Sequence, residues 1–178
     1  AEAAAQVGAG YLFVSMHAGQ MPREQAYARL RQAGDVVGRY QVFLALETHP
    51  DLCQNAADMR RTMAAVDHPW VGVNFDTGNI YYYNEGGDAV TEAKAAAAHV
   101  RGVHLKDTMG GFHDGEFPEI GAGIVDFAAV GRALDEAGYA GPYCMELEGA
   151  GFDSRRPDEL AAKVARCVAH LRGAGLFG

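Results

Sequence analysis

Four residues of this 178-residue chain, Glu47, Asp76, His104 and Glu146, share one setting: each lies at or near the end of a short apolar run. The runs are VFLALE at 42–47, VGVNFD at 71–76, VRGVHLKD at 100–107 and YCMELE at 143–148. Side chains along a strand alternate between its two faces. On that rule Leu44 and Leu46 oppose Glu47, Val73 and Phe75 oppose Asp76, Val103 and Leu105 oppose His104, and Met145 and Leu147 oppose Glu146. Three carboxylates and an imidazole brought to one place lose hydration and repel, and a divalent cation is the economical remedy. Oxygen donors with a single nitrogen suit Mn2+, Mg2+, Co2+ or Zn2+, and the absence of thiolates argues against a purely structural zinc. For any one of these residues alone, a helix cap or a surface ion pair is the plainer account. Four in register on the polar side of their strands outweigh it.

The elements that must position them follow from the spacing. Positions 47, 76, 104 and 146 are 29, 28 and 42 residues apart, and a strand-helix unit takes roughly 30 residues. The spacing therefore puts one group on each of four successive parallel strands. A fifth apolar run, YLFVSMH at 11–17, precedes them. Helical periodicity fills the intervals at 23–38 with Leu30, Ala33 and Val37, at 56–66 with Met59 and Met63, at 88–99, at 126–137 and at 157–171 with Leu160, Val164, Cys167 and Leu171. This alternation predicts an α/β fold with a parallel sheet and right-handed crossovers. Asp126 is placed to cap the helix after it. Thr77-Gly78-Asn79 reads as a turn, Tyr81-Tyr82-Tyr83 as part of a loop, and 109–123 as a Gly-rich loop long enough to cover a site.

Composition narrows the function classes. With 15 Lys plus Arg against 23 Asp plus Glu, the net charge of -8 offers no basic footprint for a phosphate backbone, so nucleic acid is not expected as a partner. Cys53, Cys144 and Cys167 are odd in number and lack CxxC spacing, which predicts neither a disulfide framework nor a thiolate zinc site and points to a cytoplasmic protein. No apolar run approaches the roughly 18 to 20 residues of a membrane helix, so no membrane partner is expected.

At these residues the sequence resembles the xylose isomerase-like (β/α)8 barrel superfamily of sugar isomerases and epimerases, over nearly its whole length. LALETH is similar to that family's strand ending in a metal-binding Glu, VNFDTGN to its Asp-x-x-His strand end, and VRGVHLKD to its His-x-Lys-Asp strand. IGAGIVDFAAVGRALDEAGYAGPYCMELEG is similar to the Gly-x-Gly loop, helix, turn and final Glu-bearing strand. The resemblance implies a parallel (β/α)8 (TIM) barrel. The chain would supply strands four to eight as one partial domain over 1–178, without the N-terminal three strands, from a protein of about 250 to 290 residues. It implies one divalent metal ion on Glu47, Asp76, His104 and Glu146. Two positions depart from the family pattern: Asn79 stands where His is frequent, and Ala122 where an acidic residue is common. Asn79 can hydrogen-bond a sugar hydroxyl but cannot act as an imidazole acid.

The expected activity is that of a metal-dependent sugar or keto-sugar isomerase or epimerase, in which the ion stabilises an enediolate. Glu47 and Glu146 are the expected base and acid, and Lys106 is expected to stabilise the oxyanion or bind substrate, with a simple carboxylate pairing as its alternative. Asn79, His49 and His113 are candidate substrate contacts, although the two histidines could equally be loop residues without a role. Glu148 is a substitute ligand, Asp107 an organiser of a loop or of Lys106, and the three tyrosines a stacking platform or a packing element. Arg155 and Arg156 could hold an anionic substrate group or simply be exposed.

A lyase or dehydratase acting on a keto-sugar or inosose in the same site is the main alternative, and Asn79 gives it weight. An apurinic endonuclease is disfavoured by the acidic balance and by Asn79, and a barrel with a vestigial site is the non-enzymatic alternative. The expected partner is a small-molecule sugar, with assembly into a homo-oligomer left open.

Overall fold

The computed structural model describes residues 1–149, 152 and 156–177. Five strands, β1 Tyr11–Val14, β2 Phe43–Glu47, β3 Val71–Asp76, β4 Val100–Leu105 and β5 Tyr143–Met145, pair in parallel in the order β1-β2-β3-β4-β5. Between and around them lie α1 Glu2–Gln6, α2 Arg23–Gly38, α3 Ala56–Val66, α4 Thr77–Tyr83, α5 Ala89–Ala96, α6 Phe127–Glu136 and α7 Pro157–Gly173. Strand neighbours follow chain order, so every crossover returns to the next position, as in successive units of a (β/α)8 barrel. The sheet curls into a half-barrel: the ring of Phe13 on β1 meets that of His104 on β4 edge to face, 4.6 Å between centroids.

The convex face of the sheet is the core. Leu46, Val73, Phe75, Val103 and Leu105 are all at most 1% exposed and pack beneath the helices. Helix α2 sits unusually close to the segment leading into β3. A Cβ on Gly34 would fall 2.4 Å from the His68 ring, and one on Gly38 would fall 2.4 Å from Trp70. Two glycines one helical turn apart thus open the groove into which those rings fit. Helices α3, α5 and α6 each begin with the side-chain cap their sequence offers, Asn55, Asp88 and Asp126, accepting from the backbone N–H three residues on.

The β3–β4 pairing slips by one residue. Val73 pairs with Val100 but Asn74 pairs with Gly102, leaving Arg101 as the extra residue of a bulge. The slip sets Asp76 directly opposite His104, and Arg101 turns its guanidinium over the Phe43 ring at 5.5 Å.

Several sequence expectations need correction. Strand β1 stops at Val14 rather than residue 17, β4 at Leu105 rather than 107, and β5 at Met145 rather than 148. Thr77-Gly78-Asn79 is not a turn, nor Tyr81-Tyr82-Tyr83 a loop: both lie in α4. Thr, Gly and Tyr have modest helix propensity, which hides the helix from sequence. It forms because Asp76 Oδ1 accepts from the backbone N–H groups of both Gly78 and Asn79 at 2.8 Å.

Candidate metal centre and active site

The curl gathers the strand ends. Glu47 closes β2, Asp76 closes β3, His104 is the penultimate residue of β4, and Glu146 follows β5 directly. One donor atom from each of the four lies within 4.8 Å of every other. His104 Nδ1 is 2.5 Å from Glu146 Oε2, 3.2 Å from Glu47 Oε1 and 3.9 Å from Asp76 Oδ2. Asp76 therefore does two jobs: one oxygen caps α4 and the other faces the cluster.

Whether these residues fit an ion can be judged from their own bonding. Glu47 Oε1, Asp76 Oδ2 and His104 Nδ1 are buried atoms without a directed hydrogen bond. Buried polar atoms nearly always have directed hydrogen bonds, so three that crowd on one point without them mark a place prepared for something else. A set of carboxylate oxygens with one imidazole nitrogen is the donor chemistry of Mn2+, Mg2+ or Zn2+. The residues fit a divalent cation.

Charge at the site is finely divided. Burial pushes the Asp76 carboxyl up to about 8, against the pull of Lys106. Burial disfavours a charged His104, but Glu146 and Glu47 outweigh it and hold the imidazole up at about 10. Burial also works to raise Glu146, whereas its contacts with His104 and Lys106 bring it down to about 2. Lys106 is held above its usual range in spite of burial, because Asp76, Glu148 and Glu146 surround it. Its Nζ lies 2.9 Å from Glu146, 2.8 Å from Glu148 and 3.3 Å from Asp76, and donates to Asn79 Oδ1 at 3.2 Å.

Beside the cluster opens a cavity of about 300 Å³ whose wall includes His49, Asn79, Tyr82, Lys106, Phe117 and Glu146. Phe117 lies over the Lys106 ammonium at 4.8 Å. His49 reaches this wall with a buried, unpartnered Nδ1, and burial lowers its pKa. His113 does not reach it: the residue is exposed, stacks on Phe112 with 4.0 Å between centroids, and tilts against Tyr82 at 5.4 Å. Tyr82 and Tyr83 line the cavity from α4, whereas Tyr81 is buried and its hydroxyl accepts from Ala89 N. Arg155 lies outside the described residues, and Arg156 forms an exposed pair with Glu159 at 3.0 Å. A larger cavity, about 670 Å³, opens among Tyr11, Phe43, Arg101 and Tyr139 at the other end of the strands. The donor cluster lies at the opposite end.

Other side chains support the strand ends, and of these only Asp107 stands out in the sequence. Asp107 accepts from Gly121 and Gly123 at 2.8 and 2.9 Å through one oxygen, and from Thr108 and Val125 through the other. It organises the Gly-x-Gly loop as expected, and a Cβ at Gly123 would fall 2.3 Å from that carboxylate. Thr48 Oγ1 accepts from Asp76 N at 2.9 Å, and Thr77 Oγ1 both accepts from Lys106 N and donates to Lys106 O. These hydroxyls tie the strand ends together. Asn74 donates to Glu47 Oε2 at 2.8 Å. The signal for Asn74 was present in its alternation with Asp76, but a buried amide carries no chemistry by type.

Residues 1–171 match the xylose isomerase-like TIM barrel family, and the chain belongs to it. More particularly, it is 30% identical over 160 residues to an L-ribulose-5-phosphate 3-epimerase, UlaE, of Escherichia coli, a match covering 89% of this chain and 53% of that protein. The chain thus spans about half the length of that relative. Among solved structures, a xylose isomerase domain protein from Planctomyces limnophilus superposes with a TM-score of 0.79 at 20% identity, covering 97% of this chain and 62% of the other. A xylose isomerase-like TIM barrel protein from Mycobacterium smegmatis, in complex with magnesium, gives 0.77 at 22% identity, covering 97% and 64%. Both likenesses concern the fold. No helix of the described residues is long and apolar enough to cross a membrane.

Proposed function

We propose that this chain carries the catalytic centre of a divalent-metal-dependent sugar epimerase or isomerase that moves a proton through an enediolate. The observation that carries the reading is the convergence of Glu47, Asp76, His104 and Glu146 on one point, where three of their buried donor atoms face one another and Lys106 without a directed hydrogen bond. The name of the Escherichia coli relative, a ketose-phosphate 3-epimerase, supports the same class. Glu47, Asp76, His104 and Glu146 would hold the ion. When bound, it supplies Lewis-acid polarisation of a sugar carbonyl and acidifies the adjacent C–H.

The remaining roles belong to the chain's own side chains. Glu47 and Glu146 approach His104 Nδ1 from β2 and β5. One takes the proton and the other returns it, to the opposite face for epimerisation or to the neighbouring carbon for isomerisation. Lys106 places its ammonium between Glu146 and Asn79, where it can balance charge developing on a substrate oxygen. Asn79 donates to Thr48 O at 3.1 Å and accepts from Lys106, so it positions rather than protonates. His49, Tyr82 and Phe117 form the wall against which a sugar would rest. His113 packs on Tyr82 from outside that wall.

The test is incubation with free and phosphorylated ketoses in deuterated water with added Mn2+. Solvent deuterium entering a carbon-bound position without loss of water is the expected result, and chelation by EDTA should abolish it. Release of water or a leaving group would instead favour the lyase reading, to which Asn79 lends weight because it offers no imidazole proton. Failure both to bind Mn2+ in calorimetry and to exchange deuterium would overturn the reading.

A further inference from the structure

Glu47 has two oxygens with different surroundings. Oε2 accepts from Asn74 Nδ2 at 2.8 Å, whereas Oε1 is unpartnered and faces His104 Nδ1 at 3.2 Å. Asn74 is fully buried, pairs with Glu47 in the β2–β3 register, and shares the concave face with Asp76. Its amide is held in a tight slot. Across the β3–β4 bulge it pairs with Gly102, where a Cβ would fall 2.6 Å from Asn74 Oδ1 and 2.5 Å from the Tyr11 ring. Any other residue at 102 would displace the amide, so the glycine keeps room for it. Asn74 Oδ1 itself finds no donor, an unsatisfied buried acceptor that a purely structural position would not retain.

From this geometry we infer that Asn74 is a positioning residue for Glu47. By engaging Oε2, the amide fixes the carboxylate plane and turns Oε1 toward the centre. A neutral donor suits the task. It orients the carboxylate without supplying the full counter-charge that a lysine or arginine would bring, and so leaves Oε1 open to a cation or a substrate proton. Partners of this kind affect metal affinity or activity by about 10- to 100-fold when removed. This inference rests on the metal-dependent reading above and assigns within it a residue that itself touches neither ion nor substrate.

The experiment uses Asn74→Leu, which keeps the branched four-atom outline of the side chain, though bulkier, and removes both the donor and the orphaned Oδ1, with Asn74→Asp as a second, isosteric variant. Mn2+ affinity is read by calorimetry, deuterium exchange into a ketose by NMR, and stability by thermal melting. A positioning role predicts that Mn2+ affinity and exchange fall by about 10-fold or more while the melting temperature of the metal-free protein is kept. Asn74→Asp should lose at least as much, because a carboxylate in that slot repels Glu47. Mn2+ affinity and exchange within twofold of wild type in the folded variants would overturn the inference. If Asn74→Leu melts early, Asn74→Asp decides on the same readings, and loss only in proportion to lost stability in both makes the role structural and overturns the inference. Should wild type bind Mn2+ yet exchange no deuterium, the epimerase reading falls while the inference is still judged on affinity. If wild type binds no Mn2+, both fall.

Discussion

The two faces of β3 are buried to the same depth and do opposite things. On the convex side Val71, Val73 and Phe75 lie at 6%, 0% and 0% exposure, and on the concave side Asn74 and Asp76 are both at 0%. Burial of the first set is favourable, at about 25 cal/mol per Å² of apolar surface. Burial of the second is not: it drives the Asp76 carboxyl up to about 8, leaves Asn74 Oδ1 without a donor, and leaves Asp76 Oδ2 with no directed hydrogen bond, only its ion pair with Lys106 at 3.3 Å. Depth therefore does not separate core from site in this molecule; unsatisfied polarity does. The convex face stabilises the strands that hold the concave face in a costly arrangement, which a cation would relieve.

The contrast can be broken from either side. Glu47→Gln or Glu146→Gln should lower deuterium exchange by about 10²- to 10⁴-fold, the range for loss of a general acid or base. The melting temperature of the metal-free protein should hold for Glu47→Gln and fall modestly for Glu146→Gln, whose carboxylate is brought down to about 2 by His104 and Lys106 and so stabilises the fold at neutral pH. A parallel collapse of stability would show that the cluster is structural. Phe75→Ala should do the reverse. It should cost about 3 to 5 kcal/mol in denaturant unfolding, and Mn2+ affinity should persist wherever the variant is still folded. A loss below about 1 kcal/mol would remove the convex face from its assigned role.

The pH dependence of metal binding sharpens the comparison. His104, held up at about 10 by Glu146 and Glu47 against its burial, carries a proton at neutral pH and must lose it to become a ligand. Asp76, pushed up by burial to about 8, adds a second proton at lower pH. Both are shed on binding, so apparent Mn2+ affinity in calorimetry should rise with pH, at least about 10-fold per unit between pH 6 and 8. A flat profile would contradict the shifts. The smallest effect belongs to a residue on neither face: Asp126→Ala removes the cap that accepts from Ala129 N at 2.8 Å. It should cost about 1 kcal/mol of stability and leave Mn2+ affinity unchanged.

Alternation made most of this legible in advance. Leu44 and Leu46 opposite Glu47, and Val103 and Leu105 opposite His104, sort correctly because a strand has a fixed period of two. Helix α4 escaped notice because its stability comes from the Asp76 cap rather than from its residues' propensities. The ends of β1, β4 and β5 were read too long because side-chain pattern continues past the point where ladder hydrogen bonds stop. His113 is a candidate in the sequence because it lies in a Gly-rich loop long enough to cover the site. Its place beside Phe112 and Tyr82, away from the cavity wall, depends on how the long loop folds back.

The sequence by itself determined which side chains share a face and how many strands separate them, because both follow from local periods and chain length. Only the tertiary structure decided that Asp76 stands opposite His104, that Glu47 leans on Asn74 and that Lys106 is caged by carboxylates. Those relations depend on sheet curl and on the one-residue slip at Arg101, long-range geometry that no local period encodes.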